Sequence, residues 1–175
     1  MEPITRQQLE LLIELQEKER EAVHLQTQVD RLPNEMAALD AALHKHAEAV
    51  EAKKTQIAGL KKAYRTQEGD LEMNQSRIKK RETQLHSVKT NKEYQSLLKE
   101  IDEIRAANSR IEDASLQCLD DVDAAEKELA LLQQAYAAEA DKAASEKKVI
   151  ENKMADLQRQ IDELNTAAAN IALQL

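Results

Sequence analysis

The chain has 175 residues, with 33 acids against 25 lysines and arginines, a formal net charge of −8, two glycines, two prolines, three tyrosines, and neither tryptophan nor phenylalanine. One third of the residues are charged, and Ala, Leu, Glu, Gln and Lys dominate, which is the composition of exposed helices joined by a narrow apolar seam rather than of a domain with one broad core. The balance excludes a membrane span, because no apolar run approaches 18 residues, and an internal disulfide, because Cys118 is the lone cysteine.

The opening "MEPITRQQLELLIELQ" has no basic leader followed by an apolar core, so it is no secretory signal. Thr5 is placed to cap a first helix, with Gln8 at the reciprocal capping-box position. From there a regular three-and-four spacing runs from Ile4, Gln8, Leu11 and Leu15 through Leu25, Leu32, Leu39, Val50 and Ile57 to Leu71, Asn74, Ile78, Leu85 and Val88. A mean repeat of about 3.5 residues held this long specifies left-handed supercoiling. The spacing predicts helix one over about 5–86.

Pro33 is the one clear breaker, since an internal proline costs a helix about 3 kcal/mol and kinks it. The seam continues through Leu32 and Met36, and Leu32 is a poor cap. A kink or short interruption near Pro33 is therefore expected, not a domain boundary. Gly59 and Gly69 weaken the first helix locally and read best as tolerated surface positions.

Past Val88 the phase jumps. The apolar residues now fall at Tyr94, Leu97, Ile101, Ile104, Ile111, Cys118, Val122, Ala125 and Leu129, and the same phase continues to Leu157, Ile161, Leu164 and Leu175. Inside the jump lies "TNKE", where Thr90 can cap a new helix and Glu93 is its capping-box partner. The reading is a tip loop over about 87–91 and helix two over about 92–175. The fold class is all-α, a long antiparallel coiled-coil helical hairpin with the first helix kinked near Pro33. Partner residue numbers across it total about 178.

Charge supports that direction. The run from Lys53 to Arg65 carries Lys53, Lys54, Lys61, Lys62 and Arg65 without an acid, and its partner region holds Glu112, Asp113, Asp120, Asp121, Asp123, Glu126 and Glu128. A parallel homodimer would set like blocks together, whereas the hairpin opposes them. In the expected register Asn74 and Asn108 fall within a turn of each other, Lys53 sits near Glu126, and Cys118 lies near Leu60. Such polar seam residues either specify register or snorkel to water.

Nothing in the sequence carries catalytic chemistry. There is no phosphate-binding glycine loop and no nucleophile elbow, and a two-helix coil has no deep concavity in which to desolvate acids. His44 and His46 point to different faces of a helix, and Cys118 reads as a small seam residue. No metal ligand set or cofactor is assigned to this chain.

The tip concentrates the candidate contacts. Arg77, Lys79, Lys80, Arg81 and Lys89 form a basic patch, extended by Lys92 and Lys99 and offset by Glu82, Glu93, Glu100, Asp102 and Glu103. A solubilising surface, a phosphate or nucleic-acid contact, and a protein contact through Tyr94 are the three readings. With Tyr94 alone to stack on a base, nucleic-acid binding by this chain is expected to be weak.

The central stretch "VKTNKEYQSLLKEI", Val88 to Ile101, resembles the central segment of bacterial C4-type zinc-ribbon proteins with a long N-terminal coiled coil. The opening "LELLIELQEKEREAVHL" and the Leu32-Pro33 pair are similar to the same family. The resemblance implies an antiparallel hairpin followed by a zinc ribbon with two CxxC pairs. This chain has no CxxC and reaches Leu175 where the ribbon would start, so zinc and ribbon are expected beyond residue 175 only. Thr90, Asn91, Lys92, Glu93, Tyr94, Leu97, Leu98, Lys99 and Glu100 match the tip motif, which would close the tip, start helix two and contact a partner. The resemblance implies a cytoplasmic adaptor, not an enzyme, with partners among alternative sigma factor, flagellar or type III secretion components. The alternative is a nucleic-acid-associated regulator reading through the ribbon, with the coil as spacer. The hairpin is expected as a monomer or paired into a further dimer.

Overall fold

The computed structural model describes residues 5–175. Ile4, the first seam position expected from the sequence, lies outside the described residues. Three helices follow one another: α1 (Arg6–Val29), α2 (Leu32–Leu85) and α3 (Asn91–Ala172). They form two compact units, one of residues 5–47 with 135–175 and one of residues 48–134.

In the first unit α1 starts at a complete capping box. The Gln8 amide donates to Thr5 Oγ1 at 3.2 Å, and the Thr5 amide donates to Gln8 Oε1 at 3.0 Å. This satisfies two donors that every helix start leaves without intrahelical partners.

Helix one is briefly interrupted just before Pro33, as expected. It is divided at Asp30 and Arg31, and α2 begins afresh at Leu32. The physical cause is Pro33, which has no N–H to give the Val29 carbonyl and whose ring crowds that oxygen. The chain tightens through the break, with the Arg31 amide on the Gln28 carbonyl at 3.2 Å. The Arg31 carbonyl then accepts from both Asn34 and Glu35. Pro33 falls in the first turn of α2, where a missing donor costs nothing. Leu32 is a poor cap, but it is not the cap: Arg31 holds that place and Leu32 is freed for the core, only 2% exposed. The rest of this unit's core includes Ala22, Ala143, Leu157, Ile161, Ala168 and Ile171. Lys147 donates to Asp40 across the helix pair.

In the second unit α2 and α3 run antiparallel. Val50, Ile57, Ile101, Ile104, Val122 and Ala125 are buried along the seam. Three polar layers interrupt it. Asn74 Nδ2 donates to Asn108 Oδ1 at 2.8 Å, Ser115 Oγ donates to Gln67 Oε1 at 3.1 Å, and Cys118 Sγ donates to the Leu60 carbonyl at 3.3 Å. No buried side-chain nitrogen or oxygen among the described residues lacks a partner, which is the condition for tolerating polar groups in a narrow core.

The register differs from the expected one by about one helical turn. A total of about 178 would set Asn74 level with Ile104 and within a turn of Asn108, and its amide does meet Asn108, level with it. Lys53 reaches Glu128, not Glu126, and Glu126 is taken by Lys61 at 2.6 Å. The contact between Cys118 and Leu60 fits both registers, because a helix carbonyl points toward its own C-terminus and so meets the partner further along.

Candidate functional site: the closed end of the hairpin

The turn joining α2 to α3 lies in the second unit and needs no glycine. Among the described residues none adopts a positive φ. After Leu85 the helix tightens instead, with the His86 amide on the Thr83 carbonyl at 3.3 Å and the Ser87 amide on the Gln84 carbonyl at 3.0 Å. Ser87 Oγ adds a bond to the same Gln84 oxygen at 2.9 Å. These contacts occupy carbonyls that a helix end leaves open.

Helix α3 then starts at a second capping box. The Glu93 amide donates to Thr90 Oγ1 and the Thr90 amide to Glu93 Oε2, both at 3.3 Å. The Tyr94 amide reaches the Thr90 carbonyl at 3.1 Å and closes the first turn. Asn91 is the first residue of α3, one residue ahead of the start expected at about 92. The turn spans 86–90.

The tip motif divides into two groups. Thr90 and Glu93 spend their side chains on the cap, and Leu97, Leu98 and Glu100 are half-buried. Asn91, Lys92, Tyr94 and Lys99 are exposed. Tyr94 is in seam phase yet 41% exposed. Glu100 is paired with Arg81, so Tyr94, six residues earlier, is level with the turn and has no helix opposite.

The patch residues divide as well. Arg81 Nε binds Glu100 at 2.9 Å, and Arg105 Nη2 binds Glu82 at 3.0 Å. Asp102 also faces Arg105 at 3.8 Å, and Glu103 faces Lys99 at 3.9 Å. Arg77 makes only a long contact, 3.5 Å, to Asn74 Oδ1. Lys79, Lys80, Lys89 and Lys92 are exposed, and none of them is among the ion pairs of the described residues. The sequence showed the cations but not this division, because pairing across the helices depends on register.

The basic and acidic blocks further along meet at two points only, Lys53 with Glu128 and Lys61 with Glu126. Lys54 turns to Glu51 in its own helix. Beside them Lys61, Tyr64, Arg65, Glu68, Leu119 and Val122 line a small groove of about 180 Å³, below the size usual for a ligand site. The Glu68 carboxylate, one turn along, accepts from the Tyr64 hydroxyl and through its charge raises the phenol above its ordinary 10.0.

No group of three or more His, Cys, Asp or Glu among the described residues could hold a metal ion. Cys118 is buried against Leu60. The zinc implied by the resemblance therefore has no fitting ligand set in these residues. No helix is long and apolar enough to cross a membrane, among the described residues.

Antiparallel helices zipped across an apolar seam with polar layers, and closed by a capped turn, define a coiled-coil hairpin. The chain belongs to the family described as the CT398-like coiled coil hairpin domain, whose model matches residues 7–175. It is similar to the solved structure of CT398 from Chlamydia trachomatis, with a TM-score of 0.85 and 18% identity over 95% of this chain and 70% of that one. At that identity the likeness speaks for the fold. No curated protein matches the chain.

Proposed function

We propose that this protein is a cytosolic, non-enzymatic scaffold that docks a protein partner at the closed end of its hairpin. The observation that carries this reading is Tyr94, which keeps the seam phase but is 41% exposed beside the exposed Lys89 and Lys92. An exposed tyrosine on a backbone held by a capping box is a rigid amphipathic anchor of the kind that interfaces favour. A coiled-coil hairpin with shallow grooves supplies no site in which to desolvate reacting groups. The resemblance points to alternative sigma factor, flagellar or type III secretion components as the partners to test first.

The experiment places a photo-crosslinking amino acid at Tyr94, and separately at the exposed Leu131 and Val149, in the cell. Crosslinks to one protein from position 94 alone are expected. Equal crosslinking from all three positions would sink the proposal, and so would crosslinks to RNA or DNA in place of protein, the outcome a ribbon-dependent nucleic-acid regulator predicts.

A further inference from the structure

The sequence between residues 77 and 103 carries seven cations and five acids, a modest excess. The structure shows which of these charges are paired and which are not. Glu82, Glu100 and Asp102 are held by arginines, Glu103 faces Lys99, and Glu93 is occupied by the Thr90 amide. Every acid of the span is engaged. Those pairs use only Arg81, Lys99 and Arg105 as cations. Arg77, Lys79, Lys80, Lys89 and Lys92 are left exposed and outside any ion pair of the described residues. The closed end thus presents five cations outside ion pairs, with Tyr94 beside them, on a chain whose net charge is −8.

Resting on the reading that the partner docks at the tip, we infer that this partner presents an acidic protein segment with an apolar residue for Tyr94. Opposed charge steers encounter and fixes orientation, while the apolar contact supplies a desolvated centre. A protein fits better than a nucleic acid. Four of the five free cations are lysines, point charges without the planar fork that reads bases. Tyr94 is the lone aromatic of the span, so successive bases would have no stacking platform. Beyond the span the cations are interrupted by Asp70 and Glu72 on α2 and, after Arg110, by Glu112 and Asp113 on α3. A long polyanion would run onto those acids, whereas a compact acidic segment would not.

The test uses the whole chain and two fluorescent probes: a short peptide of glutamates and leucines, and a single-stranded oligonucleotide. Fluorescence anisotropy should show peptide binding that the fourfold variant K79E/K80E/K89E/K92E weakens by about tenfold or more. The control K148E/K153E reverses two exposed lysines of the first unit and should change it little. Circular dichroism of both variants confirms that these exposed substitutions leave the helices intact. Equal loss in both variants, or tighter binding of the oligonucleotide than of the peptide, overturns the inference. The crosslink from position 94 separates the two levels. A crosslink in the wild type that survives the fourfold reversal overturns the acidic partner and leaves tip docking standing. Its absence from the wild type overturns both.

Discussion

The side-chain amide of Asn74 on α2 donates to the side-chain oxygen of Asn108 on α3 at 2.8 Å, joining the helices where a leucine pair would bury more apolar surface. Asn108 is 9% exposed, so its polar atoms depend on this partner. Replacing either residue alone by leucine leaves a half-buried amide without its mate, and unfolding in urea should show a loss of about 1–3 kcal/mol. The double variant N74L/N108L should recover most of that loss. It should also loosen the pairing register, visible as a second population in distance measurements between labels on α2 and α3, because the penalty for a slipped alignment is gone.

Gly59 and Gly69 lie in the interior of α2, where a Cβ would meet nothing within 4 Å. Their helical backbone suits alanine without strain, and glycine costs more chain entropy on folding. Each Gly→Ala substitution should raise stability by about 0.5–1 kcal/mol. Thermal unfolding checks this, and a loss at either position would show that the glycine has a structural role.

Leu32 and Pro33 are neighbours with opposite demands. Leu32 is 2% exposed, and Leu32→Ala should cost about 2–5 kcal/mol through lost burial and the cavity left behind. Pro33 stands in the first turn of α2, where its missing donor is not needed, so Pro33→Ala should shift stability by less than about 1 kcal/mol. It should also allow the Asp30–Arg31 break to become helical, read as protection against exchange of the residue-33 amide that the alanine introduces. Equal costs for the two substitutions would contradict this division of roles.

Lys61 and Glu126 form a 2.6 Å ion pair with both side chains about half exposed. A double-mutant cycle to alanine should return a coupling below about 1 kcal/mol that shrinks as salt is added. A larger, salt-insensitive coupling would mean that this pair sets the register in place of the polar seam layers.

The Tyr64 phenol is raised above its ordinary 10.0 by Glu68. A raised folded-state value stabilises the fold fully below the unfolded value near 10.0, and the contribution is lost as the pH rises through the folded value. In the Glu68→Gln variant the Tyr64 phenolate, followed by its ultraviolet absorbance, should form at lower pH than in the wild type. An unchanged midpoint would remove Glu68 as the cause.

The capping boxes at Thr5 and Thr90 were legible because each needs only side chains three residues apart. The seam phase and its jump after Val88 were legible because the 3.5-residue repeat is a property of one strand of sequence. Tyr94 was visible as a candidate, but its exposure was not, since that depends on where α2 stops opposite it. The placement of Pro33 was half legible. Its power to break a helix is intrinsic, but whether the chain kinks or restarts depends on how the Arg31 carbonyl is used.

Helix propensity, heptad spacing and caps are local and add along the chain, so the order of residues suffices to make it helical, to place its caps and to reverse it near its midpoint. Only the packing of the helices settles that Lys61 takes Glu126, that Lys53 reaches Glu128, and that the five tip cations stay outside ion pairs. Sliding one helix along another by about a turn leaves a repeating apolar seam nearly unchanged, so only the matching of specific polar side chains, each of which must find a partner when buried, selects one alignment from several.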